Sequence, residues 1–460
     1  MRDWNGQHVL IIGAARQGQA LARYLAGKGA RIRLNDQRTE TELTTDLASL
    51  RKLGIKFALG GHPLELLDGA DLVCLSGGVP LTLPLVVEAV RRGLPLSNDS
   101  ELFMEAVPCQ VIGITGSAGK TTTTTLVGCI AAKGLPGYRH LWVGGNIGLP
   151  LIDQVDKMKP ADLVVLELSS FQLEQMTLSP WIAAILNITP NHLDRHANMT
   201  AYAAAKAQIL LHQDQGGTAV LNREDAGSWE WASQVRGRLV SFGLHRPPPG
   251  QTGTYIEAGR LALQIGERQV NLMPQSVIRL RGEHNLVNVL AACAIAHAAG
   301  LPVDSMAAGI DGFEGVAHRL EFVREWHGAA WYNDSIATAP ERSMAAIRSF
   351  SEQLILLAGG RDKNLPWADF AKLVHQRVDH LVLFGEAADK IMSAVGTARP
   401  GQHPFSVTLC ATLREAVQAA ANIVQPGDVV LLSPGGTSFD EFRDFEERGE
   451  YFQKWVKELT

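Results

Sequence analysis

Residues 110–121 read Gln110-Val-Ile-Gly-Ile-Thr115-Gly-Ser-Ala-Gly-Lys120-Thr121, an apolar run, a glycine-rich turn and a Gly-Lys-Thr triplet ahead of a helical pattern. A strand that enters a helix through such a loop gathers backbone N–H groups round one point. That arrangement suits phosphate oxygens, with Lys120 as counter-charge and Thr121 as a hydroxyl ligand for Mg²⁺. The spacing departs from the full Walker A pattern. The first glycine of G-x-x-x-x-G-K-T would fall at Ile114, whereas glycines stand at Gly113 and Gly116. Phosphate held there needs a metal-binding carboxylate on a neighbouring strand end, and Glu167 follows the buried run Asp162-Leu-Val-Val-Leu166. A further buried run ends in Asn187-Ile-Thr-Pro-Asn-His192-Leu-Asp194-Arg-His196. With no second His or Cys cluster to complete a transition-metal site, this loop is assigned to Mg²⁺ and phosphate.

Apolar runs that end in Gly or polar residues alternate with amphipathic stretches along the chain, the pattern of βαβ units and parallel sheets. The expected fold is α/β with three domains. A Rossmann-like module spans residues 1–107, a central P-loop ATPase-like α/β domain spans 108–314, and a second Rossmann-like α/β series spans 315–460. Within the central domain, residues 237–281 read as a mostly antiparallel excursion, with a turn at Pro247-Pro-Pro-Gly250. The amino-terminal loop Gly13-Ala-Ala-Arg-Gln-Gly18 lacks the middle glycine that lets a dinucleotide approach, because Ala15 stands there. NAD is thereby disfavoured, while Asp36 at the end of the second strand still suits a ribose or base contact.

The composition agrees with a globular enzyme: 460 residues, 46% hydrophobic and 19% charged, with a net charge of −5. No basic patch marks a nucleic-acid partner, and no window approaches the roughly 18 apolar residues of a membrane span. A cytoplasmic monomer is expected, and the five cysteines read as reduced core thiols.

Nine segments in register resemble the Mur ligases of peptidoglycan synthesis: Thr115 to Thr121, Gly144-Gly-Asn146-Ile-Gly148, Glu167-Leu-Ser-Ser-Phe-Gln-Leu-Glu174, Asn187 to Arg195, Ala204-Ala-Lys206, Gly282-Glu-His-Asn285-Leu-Val-Asn288, His318-Arg319, Asn333-Asp334-Ser335 and Leu432-Ser-Pro434. The likeness covers essentially the whole chain and is greatest to members that join glutamate to UDP-N-acetylmuramoyl-L-alanine. It implies domains for the UDP-sugar, for ATP and for the amino acid, in that order, with closure of the third domain onto the second. The implied reaction makes an acyl phosphate from the substrate carboxylate and ATP, and the amine of glutamate then opens it.

By the same likeness Gly116, Ser117, Ala118, Gly119, Lys120, Thr121, Thr122, Asn285, Asn288, Arg319 and Asp334 hold ATP. Lys120, Glu167, His192, Lys206 and Arg319 serve catalysis. Thr121 and Glu167 would hold one Mg²⁺, and His192 with Lys206 a second. Lys206 would do so as a carbamate, since an ammonium cannot ligate a cation. Arg16, Gln17, Asp36, Asn146, Ser169 and His192 are expected at the UDP-sugar, and Thr338, Lys363, Ser438, Phe439 and Phe445 at glutamate.

Two departures stand out. The family writes Asp-Ser-Lys-Ala-Thr-Asn where this chain has Asp334-Ser335-Ile336-Ala337-Thr338-Ala339, which removes a cation near the phosphates and the amino acid and leaves the hand of the glutamate open. Ser433-Pro434-Gly435-Gly436-Thr437-Ser438 replaces a Ser-Pro-Ala-Cys-Ala-Ser-like run and is expected to loosen that loop. The alternatives are a ligase for another amino acid or for L-glutamate, a folylpolyglutamate synthase, a nucleotide-dependent switch without ligase chemistry, and a nicotinamide-dependent dehydrogenase.

Overall fold

Runs such as Leu163–Glu167 and Leu354–Gly359 are buried at every residue, as strands covered by helices on both faces must be. The computed structural model describes residues 2–43, 47–134, 140–148, 150–190, 195–363 and 365–460. Three α/β domains result, each built on its own sheet. The first sheet has five parallel strands in the order Lys56–Leu59, Arg31–Asp36, His8–Ile12, Leu72–Leu75, Leu96–Ser97.

In the central sheet, Gln110–Thr115 lies between Leu163–Glu167 and Ile182–Ile185, all parallel, so the strand that feeds the glycine-rich loop sits well inside the sheet. The stretch 237–281 is mostly antiparallel, as expected, with an exception at its first strand. Arg238–Phe242 pairs in parallel with Thr218–Asn222 and continues the same sheet. Antiparallel pairing begins only at the hairpins of Gly253–Glu257, Arg260–Ile265 and Arg268–Pro274. The physical reason is the short helix Ala226–Trp229 between Thr218–Asn222 and Arg238–Phe242, which returns the chain in the same direction.

By contact density the chain forms two compact units, 1–278 with 284–312, and 279–283 with 313–460. Inside the first unit a polar joint ties the first sheet's last helix to the central domain. Asn98 caps helix Asp99–Ala106 by accepting from Glu101 N at 2.8 Å, and its Nδ2 donates to Gln172 O at 2.8 Å. Gln172 Nε2 donates in turn to Ser100 Oγ at 2.7 Å, and all three side chains are buried. Arg23 pairs with Asp153 at 2.5 Å and Lys28 with Asp156 at 2.7 Å at the rim, where ion pairs add little.

The second unit holds six strands in the order Glu321–Trp326, Ala329–Asn333, Val429–Gly435, Leu354–Gly359, His380–Phe384, Ser406–Cys410. Only the edge pair Glu321–Trp326 with Ala329–Asn333 is antiparallel. The carboxyl ends of its parallel strands therefore gather 333–338, 359–363 and 433–438 on one rim, the ligand-binding edge of open α/β sheets. Asn98→Ala removes a helix cap and the side-chain donor to the buried Gln172 carbonyl, so it is predicted to destabilise the first unit by about 2 kcal/mol. Urea unfolding followed by circular dichroism reads the loss, and an unchanged midpoint would show that the joint is not structural.

Candidate active site

Ile114 lies inside strand Gln110–Thr115, fully buried and opposite Glu167, so the chain is still extended where a Walker A loop would have its first glycine. The loop is correspondingly short, Gly116-Ser-Ala-Gly119, before helix Lys120–Gly134 begins. It is pinned by the segment after strand Ile182–Ile185. Ala118 N donates to Asn187 Oδ1 at 2.8 Å, Asn187 Nδ2 donates to Ala118 O at 3.1 Å, and Ser117 N donates to Asn187 O at 3.0 Å. Ser117 Oγ donates to Thr189 O at 3.0 Å.

Gly119 is required twice over. Its φ of 81° is left-handed, and a Cβ there would stand 2.2 Å from Asn288 Oδ1. Asn288 is buried and donates to Asn285 Oδ1 at 3.1 Å, which brings these two expected nucleotide contacts against the loop.

Two lysines meet at this loop. Lys120 Nζ and Lys206 Nζ each donate to Gly116 O at 2.9 Å, and Lys206 also reaches Thr115 Oγ1 at 3.4 Å. Lys206, in helix Met199–Leu211, is only 1% exposed, although on sequence alone a lysine there passes for an ordinary helical surface residue. Burial first, then the Lys120 charge, hold its pKa well below the usual lysine value, while Glu167 acts in the opposite sense. The Tyr202 ring, 4.7 Å from Nζ, favours a cation, but not enough to offset the desolvation.

Glu167 is buried at the carboxyl end of its strand. Its Oε2 accepts from Thr121 Oγ1 at 2.9 Å and its Oε1 from Asn146 Nδ2 at 3.0 Å. Asn146 itself is exposed, and its backbone N donates to Glu167 O at 2.9 Å. The Glu167 carboxylate and the Thr121 hydroxyl are hard oxygen donors of the kind Mg²⁺ takes, so this pair fits the ion. The ammonium of a lysine, by contrast, has no lone pair to offer a cation. Thr122 is buried in the first turn of the same helix. Ser169 is half-buried and engaged in a capping box with Gln172. His192 and Asp194 lie outside the described residues. His196 is buried, 3.0 Å from Ser170 Oγ, and stacks on Phe171.

At the first sheet, Arg16 is exposed and Gln17 half-buried at the start of helix Arg16–Gly27. Asp36 is turned inward: its carboxylate accepts from Ala14 N at 2.7 Å and from Arg38 Nε and Nη2 at 3.0 and 2.9 Å. Burial raises its pKa, but the hydrogen bonds from Arg38 and Ala14 outweigh that and bring it down to about 2. Asp36 thus clamps the glycine-rich turn and orients Arg38, a residue the motif reading passed over although it lies two positions further on.

In the second unit, Arg319 sits between His318 and Leu320, both at positive φ (63° and 43°), and its buried Nε has no partner among the described residues. Asp334 accepts from Ser433 Oγ at 2.7 Å and from Leu320 N at 3.3 Å. Burial pushes its carboxyl up to about 7, against the Ser433 hydrogen bond and the Arg319 charge. Thr338 is half-buried, Lys363 exposed, Ser438 buried, Phe439 exposed and Phe445 half-buried at the start of helix Phe445–Glu458.

The loop 433–438 is not loosened. Every residue of it is buried, Gly435 N donates to Ala337 O at 2.8 Å, and a Cβ on Gly436 would stand 2.4 Å from Gly359 O. The two glycines permit close packing of two strand ends. Beneath them Arg448, fully buried, donates to Ser335 Oγ, Ser335 O and Gly436 O at 3.0, 2.9 and 3.1 Å. Nothing in the local sequence of helix Phe445–Glu458 marks that arginine as buried.

Gly119→Ala is predicted to destabilise the protein by about 1–3 kcal/mol through left-handed strain and the Asn288 clash, and to abolish the gain in melting temperature on adding Mg·ATP. A variant that melted and responded as the parent would contradict the loop geometry.

Three family models match: the Mur ligase MurD-like N-terminal domain over residues 7–97, the Mur ligase middle domain over 114–296, and the Mur ligase glutamate ligase domain over 318–436. A UDP-N-acetylmuramoylalanine–D-glutamate ligase of Symbiobacterium thermophilum is 40% identical over 99% of this chain and 98% of its own. One of the same name from Pelotomaculum thermopropionicum is 40% identical over 100% and 99%. Among solved structures, MurF from Acinetobacter baumannii superposes with a TM-score of 0.59 at 18% identity, covering 98% of this chain and 93% of its own. UDP-N-acetylmuramate–alanine ligase MurC from Thermotoga maritima gives 0.57 at 20%, covering 98% and 99%, and these two support the fold alone. With its three domains matched in order and its relatives alike over their full length, the chain belongs to the Mur ligase family.

Proposed function

We propose that this protein is an ATP-dependent ligase that joins D-glutamate to UDP-N-acetylmuramoyl-L-alanine through an acyl phosphate, in the cytoplasmic stage of peptidoglycan synthesis. The observation that carries the reading is full-length likeness to relatives named for that reaction, together with a phosphate loop faced by Lys120, Lys206 and Glu167. No described helix is long and apolar enough to cross a membrane. Residues 1–107 are assigned to the UDP-sugar, 108–314 to ATP and 315–460 to glutamate.

Phosphoryl transfer asks for positioning and charge more than for covalent help from the protein. The N–H groups at the start of helix Lys120–Gly134 and the Lys120 ammonium receive the phosphates of ATP, with the positive end of the helix dipole behind them. Thr121 and Glu167 would hold one Mg²⁺, and His192 with carbamylated Lys206 a second. When bound, these ions would neutralise charge on the phosphates. The substrate carboxylate oxygen bonds to the γ-phosphorus as the bond to ADP breaks. The amine of glutamate then attacks the acyl carbon, and the tetrahedral intermediate expels phosphate to leave the amide. Arg319, Asp334, Asn285 and Asn288 are assigned to the nucleotide, Arg16, Gln17, Asn146 and Ser169 to the UDP-sugar, and Thr338, Lys363, Ser438, Phe439 and Phe445 to glutamate. Asp36 is assigned to the UDP-sugar through Arg38, which it orients.

Carbamylation adds the Lys206 nitrogen to CO₂ with loss of one proton, which an amine of depressed basicity does readily.

Incubation with UDP-N-acetylmuramoyl-L-alanine, ATP, Mg²⁺ and each glutamate enantiomer should release phosphate with D-glutamate. Release with L-glutamate alone would move the specificity, and release with neither would end the assignment. Lys120→Ala should lose turnover at least about 100-fold. Lys206→Ala should lose it comparably and regain part with short-chain carboxylates such as acetate. Normal turnover by Lys206→Ala would remove the carbamate role.

A further inference from the structure

His62 stands just beyond strand Lys56–Leu59, in a loop that folds back on the end of the neighbouring strand Arg31–Asp36. Gly60 N donates to Asp36 O and to Arg38 O, each at 3.1 Å, and Gly61 N donates to Asp36 O at 3.4 Å. Asn35, fully buried, locks the two strand ends together: its Nδ2 donates to Ala58 O and to Gly61 O, both at 2.7 Å. Two carbonyl acceptors fix which end of that amide is nitrogen, so Asn35 Oδ1 is the atom that meets His62 Nδ1 at 2.6 Å, and it accepts. The proton of a neutral His62 ring therefore stands on Nδ1, and Nε2 carries a lone pair. Among the described residues Nε2 makes no hydrogen bond, and His62 is half-buried.

Beside this loop, Asp36 has no capacity left for a ligand. Its Oδ2 accepts from Ala14 N at 2.7 Å and from Arg38 Nη2 at 2.9 Å, and its Oδ1 accepts from Arg38 N and Arg38 Nε, each at 3.0 Å. Two bonds to each oxygen fill a carboxylate. Arg38 spends Nε and Nη2 on that clamp, and among the described residues its Nη1 makes no hydrogen bond. The residue is exposed, its charge is met by Asp36, and Glu42 lies within electrostatic reach. A guanidinium balanced in this way has little charge to offer a phosphate, yet its remaining N–H groups are still donors for a neutral carbonyl.

The acceptor on His62 and the donor on Arg38 thus belong to two segments joined by hydrogen bonds at the carboxyl ends of adjacent parallel strands. In open α/β sheets the turn after the first strand takes the phosphates of a nucleotide, and the end of the second strand takes its nucleoside. Uracil offers the matching pair, an N3–H donor beside the O4 acceptor. Cytosine reverses both, with a lone pair at N3 and an amine donor at position 4. We propose that His62 Nε2 accepts from uracil N3–H while Arg38 Nη1 donates to uracil O4, so that these two residues select the base of the UDP-sugar, an inference that rests on the UDP-sugar ligase reading. Asn35 is the positioning residue, because it holds the imidazole proton on Nδ1.

Isothermal titration calorimetry on the full chain tests this with UDP-N-acetylmuramoyl-L-alanine and its cytidine counterpart, two ligands of one shape that differ in the hydrogen-bonding edge of the base. The parent should bind the uridine compound about 10- to 100-fold more tightly, the size of a polar pair left unmatched. His62→Phe, which keeps a ring without nitrogen, should weaken binding of the uridine compound by about as much and bring the two ligands within about threefold of each other. Arg38→Met should also narrow the gap, and for each variant a gain in melting temperature on adding Mg·ATP equal to the parent's checks that the chain is folded. A parent that bound both compounds equally would overturn the proposal without any variant and leave the ligase reading intact. A folded His62→Phe or Arg38→Met chain that kept the parent's full preference would overturn the part given to that residue. A parent that bound neither compound would remove the UDP-sugar reading and this inference with it.

Discussion

Two lysine side chains converge on the single carbonyl oxygen of Gly116, and much of the central domain follows from that constraint. Each nitrogen lies 2.9 Å from the oxygen, so they stand within about 6 Å of one another, where two unit charges repel by about 3 kcal/mol at an effective dielectric near 20. The conflict is eased by burial of Lys206, which lowers its basicity, and by setting Glu167 within electrostatic reach. It also requires the loop to be short and rigid. Ile114 extends the strand to the loop's edge, Asn187 grips the Ser-Ala peptide, and Gly119 lets Asn288 press against the backbone.

The same economy governs the rim of the second unit. There Arg448 is buried beneath two glycines, and Arg319 is held between two residues of left-handed backbone. Strained backbone and partly unsatisfied guanidinium nitrogens are costly, and proteins keep them where a ligand completes the set.

Much of this was legible in the residues alone. The loop from Thr115 to Thr121, the carboxylate at Glu167 and the three α/β series all declare themselves by local pattern, because a strand end followed by glycines and a helix has few other uses. Lys206 did not, since a lysine in an alanine-rich helix carries no local sign of burial, and only likeness to a family raised it. Gly435 and Gly436 were misleading: two glycines suggest a loose loop, whereas here they allow two strand ends to touch. Alternation in residues 237–281 pointed rightly to antiparallel hairpins but not to the parallel pairing of the first strand, because it cannot say whether that strand pairs forward or back.

The chemistry assigned to the Gly116 cradle is most directly tested by isotope transfer. UDP-N-acetylmuramoyl-L-alanine carrying ¹⁸O in its free carboxylate would be turned over with ATP and glutamate, and the released phosphate examined by mass spectrometry. An acyl phosphate requires one ¹⁸O to pass into phosphate for each amide formed, because the oxygen bonded to phosphorus leaves with it. Phosphate free of the label, with amide still produced, would contradict the account.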